Sequence, residues 1–217
     1  MSFRIPAMLT VVAAVVACAL PGRPAPTATP TAQMIVATSA GPTPTSLPSG
    51  SGPCEAQAEV DIPVYTRPSP AADEFGVLSA GMGVTITGLS SDGWLGFDPG
   101  VAQAANIGVF RLRWIPAGAE LSFTGDCASL PVEPWVPEAG VCYQMSMEPV
   151  DVFPVPDPAS GSAGTLNVGD FAAVDARTPS GWLLVNGFRA NAPEIFGYIP
   201  EAAANFDGPC DSIPPIE

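Results

Sequence analysis

Histidine and lysine are absent from this chain of 217 residues, and all seven of its basic residues are arginine. Without histidine the chain lacks the usual general base near neutral pH and the commonest metal ligand. Ser-His-Asp and Cys-His catalysis and histidine-based zinc sites are therefore excluded. Charged residues make up only 13% of the sequence, and 21 acidic residues give a formal net charge of −14. Such a chain repels nucleic acid and anionic lipid head groups, so neither is expected as a partner.

Recognisable catalytic motifs are also missing. The acidic pair Asp73 and Glu74 lies in a predicted loop without a partner motif, and a glycosidase pair cannot be identified from spacing alone. The turns "SSDG" and "NFDG" have too few ligands for a calcium loop, and no glycine-rich phosphate loop is present. We therefore expect a protein that is not an enzyme and has no cofactor and no metal.

The first twenty residues predict export. Arg4 precedes an apolar run, 5–17, which is short for a membrane span but typical of a signal peptide. The run ends at "VVAC", which resembles a bacterial lipobox and implies that Cys18 is lipidated after removal of residues 1–17. Cleavage after Ala19, giving a secreted protein without lipid, is the alternative, and an uncleaved short anchor is a third. The first two interpretations place the mature protein outside the cytoplasm, and the membrane is a partner if Cys18 carries the lipid.

Residues 18–53 predict a disordered tether. They are dominated by proline, threonine, serine, alanine and glycine, and Arg23 is their single charged residue. A segment of this composition cannot bury enough apolar area to fold. We interpret it as a spacer that lifts the folded part away from the membrane.

An internal repeat with an offset of 88 residues organises the rest of the chain. The triplet Gly93-Trp94-Leu95 recurs as Gly181-Trp182-Leu183. A fixed period of this kind has to be recognised before a fold is assigned. The predicted organisation is a first repeat at 54–127, a linker at 128–141, a second repeat at 142–210 and a tail at 211–217.

The cysteines follow the same repeat. Four of the five can pair in three ways. The repeat favours Cys54–Cys127 and Cys142–Cys210, because each bond then joins the two ends of one unit. The fifth, Cys18, falls at the lipobox position. A bond between Cys127 and Cys142 would contradict this pairing.

Short β-type runs bounded by glycine, proline and aspartate fill each repeat. They predict five or six strands in a small barrel or sandwich, including "GVFRLRWI" as one strand. Asn186-Gly187 predicts a tight hairpin turn, because both residue types tolerate positive φ. Asp98-Pro99-Gly100 predicts a looser turn at the equivalent place.

The pattern of each repeat resembles that of a bacterial SH3-like domain. The first repeat matches through "GVLSAGMGVTITGLSSDGWLGF" and "GVFRLRWIPAG", and the resemblance covers residues 60–121 and 148–206. It implies an all-β protein with two tandem small SH3-like barrels, each closed by a disulfide, after the disordered N-terminal tether. The family's early arginine survives as Arg67 and is Val155 in the second repeat. Many members of that family bind cell-wall peptides or other extracytoplasmic partners.

Strand alternation separates two faces around each triplet. Leu95 and Phe97 share one face, as do Leu183 and Val185, so these residues are predicted to face the core. The tryptophans then point the other way, where they either pack under the long loops or form a shelf for a ligand. The candidate ligand groove consists of aromatic residues from both repeats: Tyr65, Trp94, Trp114, Phe153, Trp182 and Tyr198.

Three further residues are singled out, one in the linker and two in the first repeat. Trp135, between prolines in the linker, is predicted to wedge between the two units, with exposure for partner binding as the alternative. Arg111 and Arg113 are predicted to be solvated and paired with carboxylates, with an anionic ligand as the alternative.

Two classes of function follow. One is a tethered binding module that engages a cell-wall, peptide or glycan ligand through an aromatic groove. The other is a structural or accessory lipoprotein that docks onto an envelope protein. Exposed, convergent aromatic rings would favour the first class, and fully buried rings the second.

Overall fold

The regular structure of the described residues consists of β-strands and short 3-10 helices. The computed structural model describes residues 47–101 and 106–216, and within them it confirms the predicted all-β class. The predicted signal peptide, Cys18 and the tether up to residue 46 lie outside the described residues. Within the described ranges, no helix has the length and apolar character needed to span a membrane.

Among the described residues, the first half contains eight strands and the second half seven. The strands of the first half are β1 (Cys54–Ala58), β2 (Ile62–Tyr65), β3 (Glu74–Leu78), β4 (Gly83–Ile86), β5 (Gly88–Leu89), β6 (Leu95–Phe97), β7 (Arg113–Ile115) and β8 (Leu121–Thr124). Those of the second half are β9 (Tyr143–Met145), β10 (Val150–Val152), β11 (Gly164–Leu166), β12 (Phe171–Arg177), β13 (Trp182–Asn186), β14 (Phe196–Pro200) and β15 (Phe206–Asp207). The 3-10 helices are Gly108–Arg111, Pro158–Ser160, Gly187–Arg189, Glu201–Ala203 and Cys210–Ser212.

Several strand pairs of the two halves have equivalent registers. Strand β1 lies between β4 and β8, and β9 lies between β12 and β15. The long strand β12 replaces β4 and β5 together, with a register shift between Val174 and Ala176. Equivalent cross-strand pairs are Ile62–Leu78 and Val150–Leu166, Leu95–Ile115 and Leu183–Ile199, and Tyr65–Trp114 and Phe153–Tyr198.

The sheets are open. One sheet has the order β3-β2-β7-β6-β5 and another β14-β13-β12-β9-β15, each with an edge at both ends. Hydrogen bonds between the described strands therefore close no barrel in either half. The strand number also exceeds the predicted five or six. One added strand is β1, whose sequence "CEAQA" alternates small apolar with polar residues but contains no β-branched or aromatic residue.

Each half has its own apolar core, built from the predicted faces. Leu95 and Phe97 belong to the core of the first half, and Leu183 and Val185 to that of the second. All four side chains are buried, so the predicted orientation is confirmed. The tryptophans of the two triplets belong to neither core.

The predicted disulfides are confirmed. Cys54 bonds to Cys127 across 73 positions, and Cys142 bonds to Cys210 across 68. Each bond closes one repeat, and in the chain-entropy model a loop of this size stabilises the folded state by about 4 kcal/mol. Two structural disulfides are typical of proteins outside the cytoplasm.

A third apolar cluster joins the two halves, which belong to one compact unit. Phe110 of the first half packs with Tyr143 and Phe171 of the second. The linker residue Trp135 stacks on Phe171 with ring centroids 5.6 Å apart and makes an edge contact with Tyr143 at 5.3 Å. The prediction that Trp135 wedges between the units is confirmed.

Residues 47–53, assigned to the tether from composition, pack against the first repeat instead. Leu47 contacts its core, and the carbonyl of Pro48 accepts a hydrogen bond from the Cys127 amide at 2.9 Å. Gly50 lies so close to the backbone of Gly125 that a β-carbon could not fit. The packed part of the chain therefore begins at or before Leu47 rather than at Cys54.

Two local predictions were wrong. The stretch "GVFRLRWI" is a 3-10 helix at Gly108–Arg111 followed by the short β7, because Phe110 turns into the cluster between the halves. Asn186 has an extended φ of −132°, and its side chain caps the 3-10 helix Gly187–Arg189 instead of entering a tight hairpin turn. Gly187 is needed there for space, because a β-carbon would clash with the carbonyl of Ala192.

Candidate functional site

The predicted aromatic groove residues lie on the sheet face that points away from each core. We call this the outer face of a repeat. On β13 the buried Leu183 and Val185 alternate with the half-buried Trp182 and Leu184. On β14 the buried Ile199 alternates in the same way with its neighbours. The outer face of the second repeat comprises Asp151, Phe153, Trp182, Leu184, Phe196 and Tyr198.

The same pair of rings occurs in both repeats. Tyr65 meets Trp94 edge to face with centroids 5.6 Å apart and planes at 84°. Phe153 meets Trp182 with centroids at the same 5.6 Å and planes at 90°. All four side chains are half-buried. Each tryptophan of the triplet therefore packs on the aromatic residue that begins the preceding long loop and keeps part of its ring in contact with solvent.

The third aromatic position distinguishes the repeats. Trp114 of the first repeat has an exposed fraction of 0%, whereas the equivalent Tyr198 is half-buried. The residue opposite Trp114 across the strand pair is Gly96, and the residue opposite Tyr198 is Leu184. A β-carbon at Gly96 would lie 3.1 Å from the Trp114 ring, so the indole occupies the space above the glycine.

The first repeat therefore fills its own outer face. Strands β6 and β7 are buried at every position. Burial of Trp114 leaves its indole Nε1 without a hydrogen-bond partner among the described residues. In the second repeat, by contrast, the outer positions of β13 are half-buried, and Phe196 on β14 is 53% exposed. Of the two candidate grooves, only that of the second repeat keeps all three aromatic residues partly accessible.

Arg113 is buried rather than solvated, so the prediction for this residue was wrong. It is only 6% exposed, and its guanidinium lies 4.7 Å from the Phe75 ring centroid. It donates hydrogen bonds to the carbonyls of Phe110 and Leu112. Burial lowers the pKa of Arg113 from its usual value. Sequence alternation could not reveal this, because the burial depends on a contact with Phe75 of β3, which is distant in the chain.

Arg111 pairs with a carboxylate, as predicted. Its Nε donates to Asp98 at 3.1 Å, and both side chains are partly exposed. A hydrogen bond from the Gly100 amide, followed by the bond from Arg111, lowers the pKa of Asp98. The pair stabilises the turn at the start of the segment that links β6 to β7.

Arg67 joins the two repeats. It forms a buried ion pair with Asp207 of β15, and its guanidinium lies 5.2 Å from the Phe110 ring centroid. Burial lowers the pKa of Arg67 to about 10, which leaves the side chain charged at neutral pH. The arginine expected from the family resemblance thus holds the second repeat through this ion pair. In the second repeat Val155 takes this position and is 49% exposed.

The remaining arginines of the described residues are also engaged by the protein. Arg177 pairs with Glu201 at 2.9 Å. Arg189 pairs with Asp175 at 2.9 Å and with Glu138 at 3.4 Å. The described surface therefore presents carboxylates without a matching set of available cations, which favours neutral or cationic ligands.

Two small cavities lie away from the outer faces. One, of about 200 Å³, is lined by residues around the Cys142 end of the second repeat, including Asp175 and Arg189. The other, of about 190 Å³, lies between the long loop of the first repeat and the linker, beside Arg67 and Glu138. None of the six predicted groove residues lines either cavity. The aromatic residues of the second repeat thus lie apart from both cavities, as partly exposed rings on a sheet face.

Sequence reasoning missed the residues of the second repeat that contact the first. Tyr143 and Met145 on β9 are fully buried in the cluster between the halves. Their equivalents at the repeat offset are Glu55 and Gln57, on the exposed side of β1. Comparison of the repeats position by position would have identified this surface, because apolar residues replace polar ones only in the second copy.

The comparisons with known proteins give no family assignment. No protein-family model matches the chain, and no curated protein matches it. The open aromatic face and the distribution of charge therefore carry the functional proposal.

Proposed function

We propose that this protein is a membrane-anchored extracytoplasmic lipoprotein whose two SH3-like repeats form a non-enzymatic binding module. In this proposal Cys18 carries the lipid, the tether spaces the repeats from the membrane, and a cell-wall, peptide or glycan ligand binds through aromatic residues. The SH3-like assignment rests on the sequence resemblance and on the repetition of strand registers in the two halves.

The observation that carries the proposal is the accessible aromatic group of the second repeat. Phe153, Trp182 and Tyr198 lie on the face opposite the core and are all half-buried. Side chains needed only for packing are usually buried, whereas an exposed aromatic group at the surface of a soluble domain is typical of a binding site. We assign the ligand to the second repeat because Trp114 fills the equivalent space in the first.

The absence of catalysis is part of the same proposal. The chain has no histidine, and the four cysteines of the repeats are bonded in disulfides, so none of these four is a free nucleophile. The carboxylates Asp73 and Glu74 are exposed side chains of a loop and the strand that follows it.

An alternative is an accessory lipoprotein that docks onto an envelope partner protein. The first repeat favours this role for itself, because its outer face is filled and one end of it is covered by the second repeat through Phe110 and Arg67. When the two roles are combined, the first repeat supports and orients the second repeat, and the second repeat binds the ligand.

Retention on isolated envelope fractions tests the proposal. The purified chain from residue 47 onward is incubated with cell wall and with envelope extract as wild type, Trp182→Ala and Trp94→Ala. The two substitutions are matched, because each removes the same residue from the same ring pair. We expect Trp182→Ala to abolish retention on cell wall and Trp94→Ala to preserve it.

Two outcomes would contradict the proposal. Equal loss in both variants would show that binding does not depend on the open face of the second repeat. No retention of the wild type on cell wall, with co-purification of one envelope protein, would favour the accessory role. Circular dichroism of each variant checks that the β-fold is intact.

A further inference from the structure

The rings of Phe153 and Trp182 form an open corner on the outer face of the second repeat. Their centroids are 5.6 Å apart, and their planes are perpendicular. Both side chains are half-buried, so part of each ring remains in contact with solvent. The face of an aromatic ring carries the negative side of its quadrupole, so an accessible face beside such an edge-to-face contact attracts a cation.

Asp151 supplies a negative charge beside this corner. It precedes Phe153 by two residues along β10, so both side chains are on the same face of the strand. Asp151 is exposed, and its Oδ1 accepts a hydrogen bond from the Thr165 hydroxyl at 3.1 Å. That bond orients the carboxylate on the outer face without neutralising it.

Neither of the two arginine–ring contacts found among residues 47–101 and 106–216 is at this corner. The nearest arginine along the adjoining strands is Arg177, whose charge is engaged by Glu201. Elsewhere the protein does place cations on rings. Arg67 lies over Phe110 at 5.2 Å, and Arg113 over Phe75 at 4.7 Å. The corner at Phe153 and Trp182 offers the same kind of contact to a cation of a ligand.

The first repeat has the ring pair without the charge. At the position of Asp151 it has Pro63, and at the position of Thr165 it has Val77. Both residues are exposed, and Tyr65 follows Pro63 at the same spacing. The first repeat is therefore an internal control that lacks the acid at the corner, has Tyr65 in place of Phe153 and buries Trp114 over Gly96.

We propose that the corner of Phe153 and Trp182 binds the primary ammonium group of a lysine side chain on an extended peptide, with Asp151 as its counter-charge. The proposal rests on the proposed function, in which this face takes a ligand, and names the chemistry of that ligand. A peptide fits better than a free amine because the rings lie partly exposed on a sheet face. The backbone and neighbouring side chains of a peptide can also cover Tyr198 and the 53% exposed Phe196.

Fluorine NMR of the full-length protein in a nonionic detergent tests this assignment. Incorporation of 5-fluorotryptophan gives one resonance for each of the four tryptophans, and Trp→Phe variants assign them. The probes are a blocked pentapeptide with two lysines among alanines, its norleucine counterpart and methylammonium chloride. We expect the lysine peptide to shift the Trp182 resonance and not that of Trp94, and to bind at least about threefold more tightly than either control probe.

A charge-removing variant tests the role of the acid. Asp151→Asn should weaken binding of the lysine peptide about 2- to 5-fold, the effect expected for an exposed ion pair. Glu55→Gln is the matched control. Glu55 also accepts a threonine hydroxyl across a strand pair, from Thr85 at 2.8 Å, but lies on β1 of the first repeat. It should leave the affinity unchanged.

Several results would overturn the inference. Equal binding of the norleucine peptide would show an apolar site, and equal binding of methylammonium would show that a free ion suffices. An equal shift of the Trp94 resonance, or an unchanged affinity in Asp151→Asn, would show that the lysine does not bind at this corner. If the lysine peptide causes no shift while Trp182→Ala still abolishes retention on cell wall, the ligand chemistry is wrong but the binding function stands. If the lysine peptide causes no shift and Trp182→Ala does not reduce retention on cell wall, both the ligand chemistry and the proposed function are wrong.

Discussion

Replacement of Gly96 by leucine should force Trp114 out of its buried position. A β-carbon at Gly96 would lie 3.1 Å from Cζ3 and 3.2 Å from Cη2 of the Trp114 ring, and 3.2 Å from Cδ1 of Leu112. These distances are shorter than ordinary van der Waals contact before the rest of the leucine is added. Overpacking of this kind costs about 1–3 kcal/mol. The removal of glycine from the unfolded chain offsets about 0.4–1 kcal/mol of that cost. We expect Gly96→Leu to lower the free energy of unfolding by about 1–2 kcal/mol.

A second substitution should recover most of this loss. Trp114→Tyr on its own leaves a void above Gly96, although it also removes the buried indole N–H that has no partner. The double variant recreates the pair that the second repeat already contains, Leu184 opposite Tyr198 in the same register. We therefore expect a favourable coupling of about 1–2 kcal/mol between the two substitutions.

Urea unfolding followed by circular dichroism measures the cycle. The reverse exchange, Leu184→Gly with Tyr198→Trp, is the matched control in the second repeat and should show coupling of the same sign. If the double variant loses as much stability as the two single variants together, within about 0.5 kcal/mol, the residues do not compensate each other. Our explanation for the closed outer face of the first repeat would then be refuted.

Two further predictions concern the contact between the repeats. Phe110→Ala should lower the free energy of unfolding by about 3–5 kcal/mol and split one denaturant transition into two, because a fully buried ring is lost from the cluster that joins the repeats. The control Val168→Ala, at a side chain that is 64% exposed, should change the free energy of unfolding by less than about 0.5 kcal/mol. A single unchanged transition in Phe110→Ala would contradict the assignment of Phe110 to the contact between the repeats. Burial raises the pKa of Tyr143, whose hydroxyl accepts a hydrogen bond from the Glu138 amide, so the phenol loses its proton first in the unfolded chain. The contribution of this residue to stability is complete below about pH 10 and is lost as the pH rises further. Tyr143→Phe should therefore raise the midpoint of alkaline unfolding followed by circular dichroism, and an unchanged midpoint would argue against this residue.

Local alternation correctly predicted the faces around the triplets. Leu95 and Leu183 face their cores because side chains of a strand alternate whatever the neighbouring strand contains. The disulfide pairing could also be predicted from the sequence, because the repeat offset aligned Cys54 with Cys142. Trp135 between prolines was predicted to contact both units, and it does.

Alternation could not predict which side chains of the outer faces are fully buried. Trp114 and Tyr198 occupy equivalent positions, yet only the tryptophan is fully buried. The difference depends on Gly96, which is eighteen positions away in sequence but directly opposite across the strand pair. Arg113 was expected in solvent for a similar reason, since its burial against Phe75 depends on a contact between distant strands.

The sequence by itself determined that this protein is an all-β tandem repeat with two disulfides, because composition, alternation and the repeat offset are properties of the chain. Only the tertiary structure decided which repeat keeps an open aromatic face. It did so through two arrangements that join residues far apart in the chain. Trp114 packs over Gly96, and Phe110 with Arg67 docks the first repeat onto the second. Burial is a property of neighbours in space, and two equivalent positions in a repeat need not share them.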